Sequence, residues 1–335
     1  MPDMSDKLEI GSRLESIFRP FALQQKKEFA GKQRDPALAS FVHYTSAEAA
    51  LKILETKRIW MRNVTVMPDF TEVTRGFNLI SQVLFRDADG AGWKDLSKAL
   101  DDCASGAAAE ALQLFIGWWS DIQLRTYITS ISEHDESEDR HGRLSMWRAF
   151  GETVRVAIVV KFPFALLEGD VFNVVVSPVA YLTKEEVEAQ FRTVVQKVCE
   201  NRDFLKSLGR EKVVGRIYDM LVTEVACLKH EGFKEEREWR LIYAPNRWPS
   251  PLIESSIEMI KGIPQVVYKI PLDSTAPSAP DALSNLDLAR ILDHVIIGPA
   301  SYPSSMIDAF TTVLQKAGVS DLGKRIVLSE IPIRF

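Results

Sequence analysis

The stretch Lys234–Ala244, Lys-Glu-Glu-Arg-Glu-Trp-Arg-Leu-Ile-Tyr-Ala, limits the fold of this chain more than any other. It begins as a dense charge cluster and ends as an apolar run with the two-residue period of a β-strand. Read from Glu236, the alternation puts Glu236, Glu238, Arg240 and Ile242 on one face. Arg237, Trp239, Leu241 and Tyr243 fall on the other. The aromatic face belongs in a core, so two carboxylates and a guanidinium point the opposite way. Residues two apart on a strand lie roughly 7 Å from each other on the same side. Such carboxylates act either as a base or electrostatic partner for a cationic reaction centre, or as members of a solvated edge strand carrying an Arg–Glu pair. Spacing alone leaves both readings open.

Composition bounds the rest. A chain of 335 residues, 46% hydrophobic and 26% charged, can bury one large core or two modest ones. No apolar run reaches the ~20 residues of a membrane span, and Met-Pro-Asp-Met-Ser-Asp has neither the basic flank nor the apolar centre of a signal peptide. A cytoplasmic location without a membrane partner is expected. Cys103, Cys199 and Cys227 lack paired spacing, which argues against a disulfide frame or zinc knuckle. A net charge of −5 supplies no overall attraction to nucleic acid.

In chain order, residues 1–40 read as an N-terminal helical extension and 41–335 as a single α+β domain. Phe41–Tyr44 is a short strand, and Thr45-Ser46-Ala47-Glu48 has capping-box spacing for a following helix. The junction at His43, Tyr44 and Thr45 would offer free N–H groups and a helix dipole to an anion such as a diphosphate. Ile59–Asn63, which carries Arg62, is a second strand. Pro68-Asp69 turns into a helix with Phe70, Val73, Phe77, Ile80 and Leu84 on its buried stripe. Residues 86–106 read as surface loops around one short helix. A helix over about 107–122 groups Leu112, Phe115, Ile116 and Trp119 on one face.

Arg125–Ser132 is a strand whose Ser130 and Ser132 either line a cleft or are ordinary strand residues. The polar segment 133–143 is either a mobile solvated loop or a metal site built from His134, His141 and the intervening acids. Its spacing does not enforce convergence, and no metal is assigned. Trp147, on one or two helical turns, is a flat surface over a cleft or a core aromatic. Residues 154–162 alternate cleanly as a strand, and 171–182 form a strand or hairpin with Pro178 at a bulge or edge. Two apolar stripes in 184–230, separated near Leu208-Gly209, predict an inserted helical hairpin, whose basic residues read as a solvated face. Strands at 265–270, 294–298 and 325–333 and a helix at 303–317 complete the chain. Ser274–Asp281 is a Pro/Ser loop.

Several sharp motifs are missing. The sequence has no Gly-x-x-x-x-Gly-Lys-Ser/Thr loop, no strand-borne Gly-x-Gly-x-x-Gly, no His-Glu-x-x-His and no Gly-x-Ser-x-Gly. Phosphate-loop ATPases, Rossmann enzymes, zinc proteases and serine hydrolases are therefore disfavoured. Pro68-Asp69 is not followed by the Glu-x-Lys strand of restriction nucleases.

Taken together, Phe-Val-His-Tyr-Thr-Ser at 41–46, Ile-Trp-Met-Arg-Asn at 59–63, Pro-Asp-Phe-Thr-Glu at 68–72, Ser-Ile-Ser at 130–132, Met-Trp-Arg-Ala-Phe at 146–150, Glu-Arg-Glu-Trp-Arg-Leu-Ile at 236–242 and Ile-Ile-Gly-Pro at 296–299 form a string of short motifs. That string resembles a bacterial domain-of-unknown-function family over about 41–333. The family in turn is similar to the ADP-ribosyltransferase fold, which implies mixed, mainly antiparallel split sheets flanked by helices, here with the helical hairpin inserted. The resemblance implies NAD as substrate, Glu238 as the catalytic carboxylate and Glu236 as the group that orients or deprotonates the acceptor. It implies His43 on a ribose hydroxyl and Ser130 and Ser132 on the serine-bearing strand; by the chemistry of the side chains themselves, Tyr44 or Trp147 would stack on a flat ring and Arg62 or Arg240 would pair with the diphosphate. His43 stands where an Arg usually accompanies Glu-x-Glu, and Thr-Ser-Ile-Ser replaces Ser-Thr-Ser. His43 also reads as a core histidine and Arg240 as the ion-pair partner of Glu238. The expected activity is transfer of ADP-ribose to an unknown macromolecular acceptor, in a toxin or phage-defence setting. The alternatives are a non-catalytic nucleotide- or protein-binding sensor on the same fold and a metal-dependent nuclease-like effector.

Overall fold

The computed structural model describes residues 4–35, 37–66, 70–86, 90–149, 155–164, 172–273 and 286–332. The turn at Pro68-Asp69, the side chains of Phe70 and Val73, and the Pro/Ser loop 274–281 lie outside what it describes. The chain divides into two compact units. One comprises Met1–Glu28, Asn63–Thr126 and Ser177–Lys234; the other comprises Phe29–Arg62, Tyr127–Val176 and Glu235–Phe335.

The first unit is mainly helical. Its long helix Arg210–Cys227 buries Val213, Val214, Ile217, Leu221 and Val225 and packs against helices Ala107–Gly117 and Phe70–Ser81. Residues 184–227 form three helices, Lys184–Glu200, Arg202–Leu208 and Arg210–Cys227, not the two of a hairpin. Asn201 ends the first, and Gly209, at a φ of 83°, ends the second where a side chain would be strained. The one helix expected within 86–106 is found at Ala91–Asp101, and it is packed rather than superficial, with Leu96, Ala99 and Leu100 buried. Ile116 does not join the stripe on helix 107–117; it is 54% exposed. Helix Lys184–Glu200 opens with a reciprocal capping box, Thr183 Oγ1 accepting from Glu186 N and Glu186 accepting from Thr183 N. Thr183→Ala should therefore cost about 1 kcal/mol, read as a lower urea midpoint. An unchanged midpoint would show that the box adds nothing to folding.

The second unit holds the sheet, and the α+β expectation is met. Its strands are β1 (Leu38–Ser46), β2 (Arg58–Asn63), β3 (Tyr127–Glu133), β4 (Arg155–Pro163) and β5 (Val175–Pro178). Beyond a small parallel pair in the first unit, β6 (Ala180–Tyr181) and β7 (Leu228–Lys229), come β8 (Glu238–Tyr243), β9 (Glu254–Ile260), β10 (Ile263–Pro271), β11 (Leu292–Ile297) and β12 (Ile326–Leu328). The order is β12-β11-β4-β1-β3-β2-β10-β9, with β8 between β3 and β5. Pairing is mostly antiparallel; β11 and β12 run parallel. Segment 171–182 is thus not a hairpin, because β5 joins β8 while β6 joins β7. β9 and β10 form a hairpin the sequence reading did not anticipate, turned by Lys261 (φ 51°) and Gly262 (φ 77°).

The sheet forks at β3. β8 occupies one edge from Tyr127 to Ser132, so β1 and β2 share the other. β1 pairs with β3 only at Phe41–Glu133 and Val42–Ser132 before leaving it. Directly paired residues share a face. One face therefore carries Phe41, Ile131 and Trp239, which pack with Phe29 in one cluster. The opposite face carries Val42, Ser132, Ser130, Glu238 and Arg240. On that second face Val42 and Tyr44 pack with Trp147 and Met146 from helix Leu144–Ala149. Among the described residues, no helix is long and apolar enough to cross a membrane.

Candidate functional site

β8 is an internal strand rather than a solvated edge. Glu238 is 6% exposed, Arg240 2% and Trp239 0%. Its alternation holds from Glu238 to Tyr243 and breaks before it. Arg237 adopts left-handed backbone, φ 46°, and Glu236 ends the 3-10 turn Glu231–Glu236. Glu236 and Glu238 are therefore not neighbours on one strand face, as the Glu-x-Glu spacing predicts. The strand has to be entered through a kink, in which the Arg237 carbonyl accepts from Glu133 N.

The Glu238 carboxylate is held from two sides. Ser130 Oγ donates to Oε1 at 2.5 Å, Arg240 Nε donates to the same oxygen at 2.8 Å, and Arg240 Nη2 reaches Oε2 at 3.3 Å. The ion-pair reading of Arg240 is thus realised geometrically. Ser132, 3% exposed, pairs directly with Glu238 across the ladder and completes a polar patch on a buried sheet face. Arg62 lies on the same side, because Ile59 and Met61 pack with Tyr243 and Leu241 on the other. Its guanidinium takes Gln265 Oε1 at 3.0 and 3.2 Å, and burial lowers its pKa.

His43 and Thr45 do not join this patch. Alternation along β1 places both on the opposite face, and His43 lines an apolar cavity of ≈110 Å³ with Ile131, Ile158, Leu241, Ile270 and Leu288. Its Nδ1 donates to Ser130 O at 2.8 Å, filling the gap where β1 leaves β3. Burial pushes its pKa below the usual histidine value, only partly opposed by that bond. The core-histidine reading is the one the geometry supports.

A pH dependence follows. The unfolded chain titrates this histidine near 6.5, whereas the folded chain resists the proton. The unfolded state therefore binds more protons below that pH, and stability falls as pH drops through it. His43→Gln should gain on the wild type between about pH 7.5 and about pH 5 in urea unfolding. A constant difference would show that His43 titrates alike in both states.

Tyr44 and Trp147 face each other edge-on, with ring centroids 5.0 Å apart. Trp147 is 1% exposed, and a Cβ on Gly142 or Gly298 would press into its ring at 2.5 or 3.0 Å. It is a core aromatic, not an open stacking surface. Tyr44 Oη accepts from Arg143 N at 2.8 Å; burial, partly opposed by Arg143, raises its pKa to about 12.

The acidic segment is built rather than loosely solvated, contrary to the expected mobile loop. Arg143, buried, chelates Glu138 at 3.0 and 3.1 Å and donates to the carbonyls of Glu236 at 2.7 Å and Glu133 at 2.8 Å; Arg237 adds a short contact to Glu138. His141 serves through its carbonyl, which accepts from Trp147 Nε1 at 2.7 Å. His134 approaches Asp139 and His294 instead. Sequence reasoning missed Arg143 and His294. The polar pair Asp293-His294 inside the apolar run Leu292–Ile297 was the available signal for the second.

Residues 146–241 match the family described as a protein of unknown function (DUF2971). The matched span opens at the Trp147 helix and closes inside β8, so it contains Glu236, Glu238 and Arg240. No curated protein and no solved structure matches the chain.

Proposed function

We propose that this chain cleaves the nicotinamide–ribose bond of NAD and transfers ADP-ribose to a macromolecular acceptor, as an enzyme of ADP-ribosyltransferase type. The observation that carries this reading is Glu238, fixed by Ser130 and Arg240 on the strand next to the fork of the sheet. When the C1′–N bond breaks, its electron pair leaves with nicotinamide and positive charge develops on the ribose. A carboxylate already locked in one geometry stabilises that charge without reorganising. Ser132, Ser130, Arg240 and Arg62 on the same face supply hydroxyls and guanidinium groups for the ribose and diphosphate. Glu236, half-buried just outside the strand, is assigned to the acceptor, whose nucleophile must lose a proton. His43, on the other face, has no role in this scheme beyond holding β1 to β3.

A second reading, a non-catalytic nucleotide- or protein-binding domain, is favoured by the near-complete burial of Glu238 and its double engagement by Arg240. NAD labelled on its adenylate, incubated with the full chain and bacterial lysate, separates the two. Label on lysate macromolecules supports transfer, and label in free ADP-ribose alone indicates hydrolysis. Saturable NAD binding with no labelled product favours the sensor.

A further inference from the structure

We propose that His134, Asp139 and His294 bind one divalent transition-metal ion of the zinc type, with a ligand set that does not include Glu238. The three side chains come from the end of β3, the loop that follows it and β11, and their ligand atoms lie within 4.8 Å of one another. His134 Nε2 is 2.7 Å from Asp139 Oδ1, and His294 Nε2 is 3.9 Å from the same oxygen. Two imidazoles and one carboxylate are a ligand set that suits Zn²⁺ and leaves a fourth position open.

Three independent features indicate that the nitrogens are presented for a ligand. First, His294 is 5% exposed and its Nε2 is buried with no hydrogen-bond partner, although it points at the cluster. An orphan of that kind costs free energy unless something fills the gap. Second, the outer nitrogen of His294 is fixed: Nδ1 donates to Asp293 Oδ2 at 2.8 Å, which leaves the lone pair on Nε2. Asp293 is in turn bridged by Lys161 Nζ at 3.2 Å. A carboxylate behind a ligating imidazole is the usual way that tautomer and basicity are set at metal centres. Third, the β11–β4 register shifts between Leu292 and His294. This irregularity brings Asp293 and His294, consecutive residues, into contact, which a regular strand would send to opposite faces.

His134 has matching support. Its Nδ1 is buried without a hydrogen-bond partner, 4.0 Å from Glu138 Oε2. When a metal takes Nε2, the ring proton moves to Nδ1, on the side where Glu138 lies. Tetrahedral coordination needs ligand atoms about 3.3 Å apart, so on binding the His134–Asp139 pair opens from 2.7 Å while the His294–Asp139 separation closes from 3.9 Å. Asp139, 44% exposed on its loop, is the side chain free to make that adjustment. Asp139 and His294 border a cleft of ≈340 Å³ with Asp321 and Lys324, large enough for a water or a small anion as the fourth ligand.

The test uses the full chain, stripped with chelator, reloaded with Zn²⁺ or Co²⁺ and freed of excess by gel filtration. The expected result is about one metal per chain by elemental analysis, with visible Co²⁺ d–d absorption. Asp139→Asn and His294→Ala should lose that metal, and Asp293→Asn should weaken binding by about 10- to 100-fold. His141→Ala should retain it. Asp139→Asn, a change on a partly exposed loop side chain, keeps the test readable if His294→Ala fails to fold. No stoichiometric metal on the wild type, or equal retention by Asp139→Asn, would overturn the proposal.

Discussion

Arg240→Met is expected to lower the unfolding free energy by about 3–5 kcal/mol, because it takes from the buried Glu238 carboxylate the guanidinium that holds both its oxygens. Both side chains of the pair are nearly inaccessible, 2% for Arg240 and 6% for Glu238, so water cannot compensate as it does at a surface pair. The double variant Glu238→Gln/Arg240→Met should be markedly more stable than Arg240→Met alone, since both charges of the pair are removed together. Urea unfolding of the wild type, both single variants and the double variant closes the cycle. A loss below about 1 kcal/mol in Arg240→Met would place the pair in the class of surface ion pairs and contradict the burial described here.

Glu238→Gln addresses chemistry more than folding. The amide has the carboxylate's shape and keeps an oxygen for Ser130 and Arg240, so a folded protein is expected. Without the negative charge, the developing positive ribose loses its main electrostatic partner, and turnover should fall by about 10²–10³. The fall should appear in kcat with little change in KM, since the charge is needed in the transition state rather than for binding. A proportionate rise in KM at unchanged kcat would instead make Glu238 a binding residue.

How much of this was legible beforehand depends on what kind of information each feature needs. The run from Trp239 to Tyr243 announces a strand because its period is local, and Trp239 and Tyr243 are buried as expected, but Glu238, Arg240 and Ile242 on the other side are buried as well. The grouping of His43 with Glu238 went wrong for a different reason. Periodicity tells which residues of one strand share a face, but not which face of β1 matches which face of β8. That phase is set by the ladder Val42–Ser132–Glu238, which joins residues almost two hundred positions apart in the chain. The break at Arg237 was hidden similarly, because a left-handed arginine carries no sequence mark of the kind glycine gives. His134, Asp139 and His294 come together from two distant segments, and the single hint was a charged Asp-His pair in an apolar strand. The helical unit draws on three separate stretches of chain, so no composition shift marks its borders.

The central claim is that the Glu238 face of the forked sheet cleaves NAD. Its most direct test is the time course of nicotinamide release from NAD by the 335-residue wild type beside Glu238→Gln, each checked for folding by its thermal transition. Release by the wild type that collapses in the folded variant is the predicted result. No release by the wild type with or without lysate, or equal release by both proteins, would contradict the account and leave Glu238 as the buried partner of Arg240.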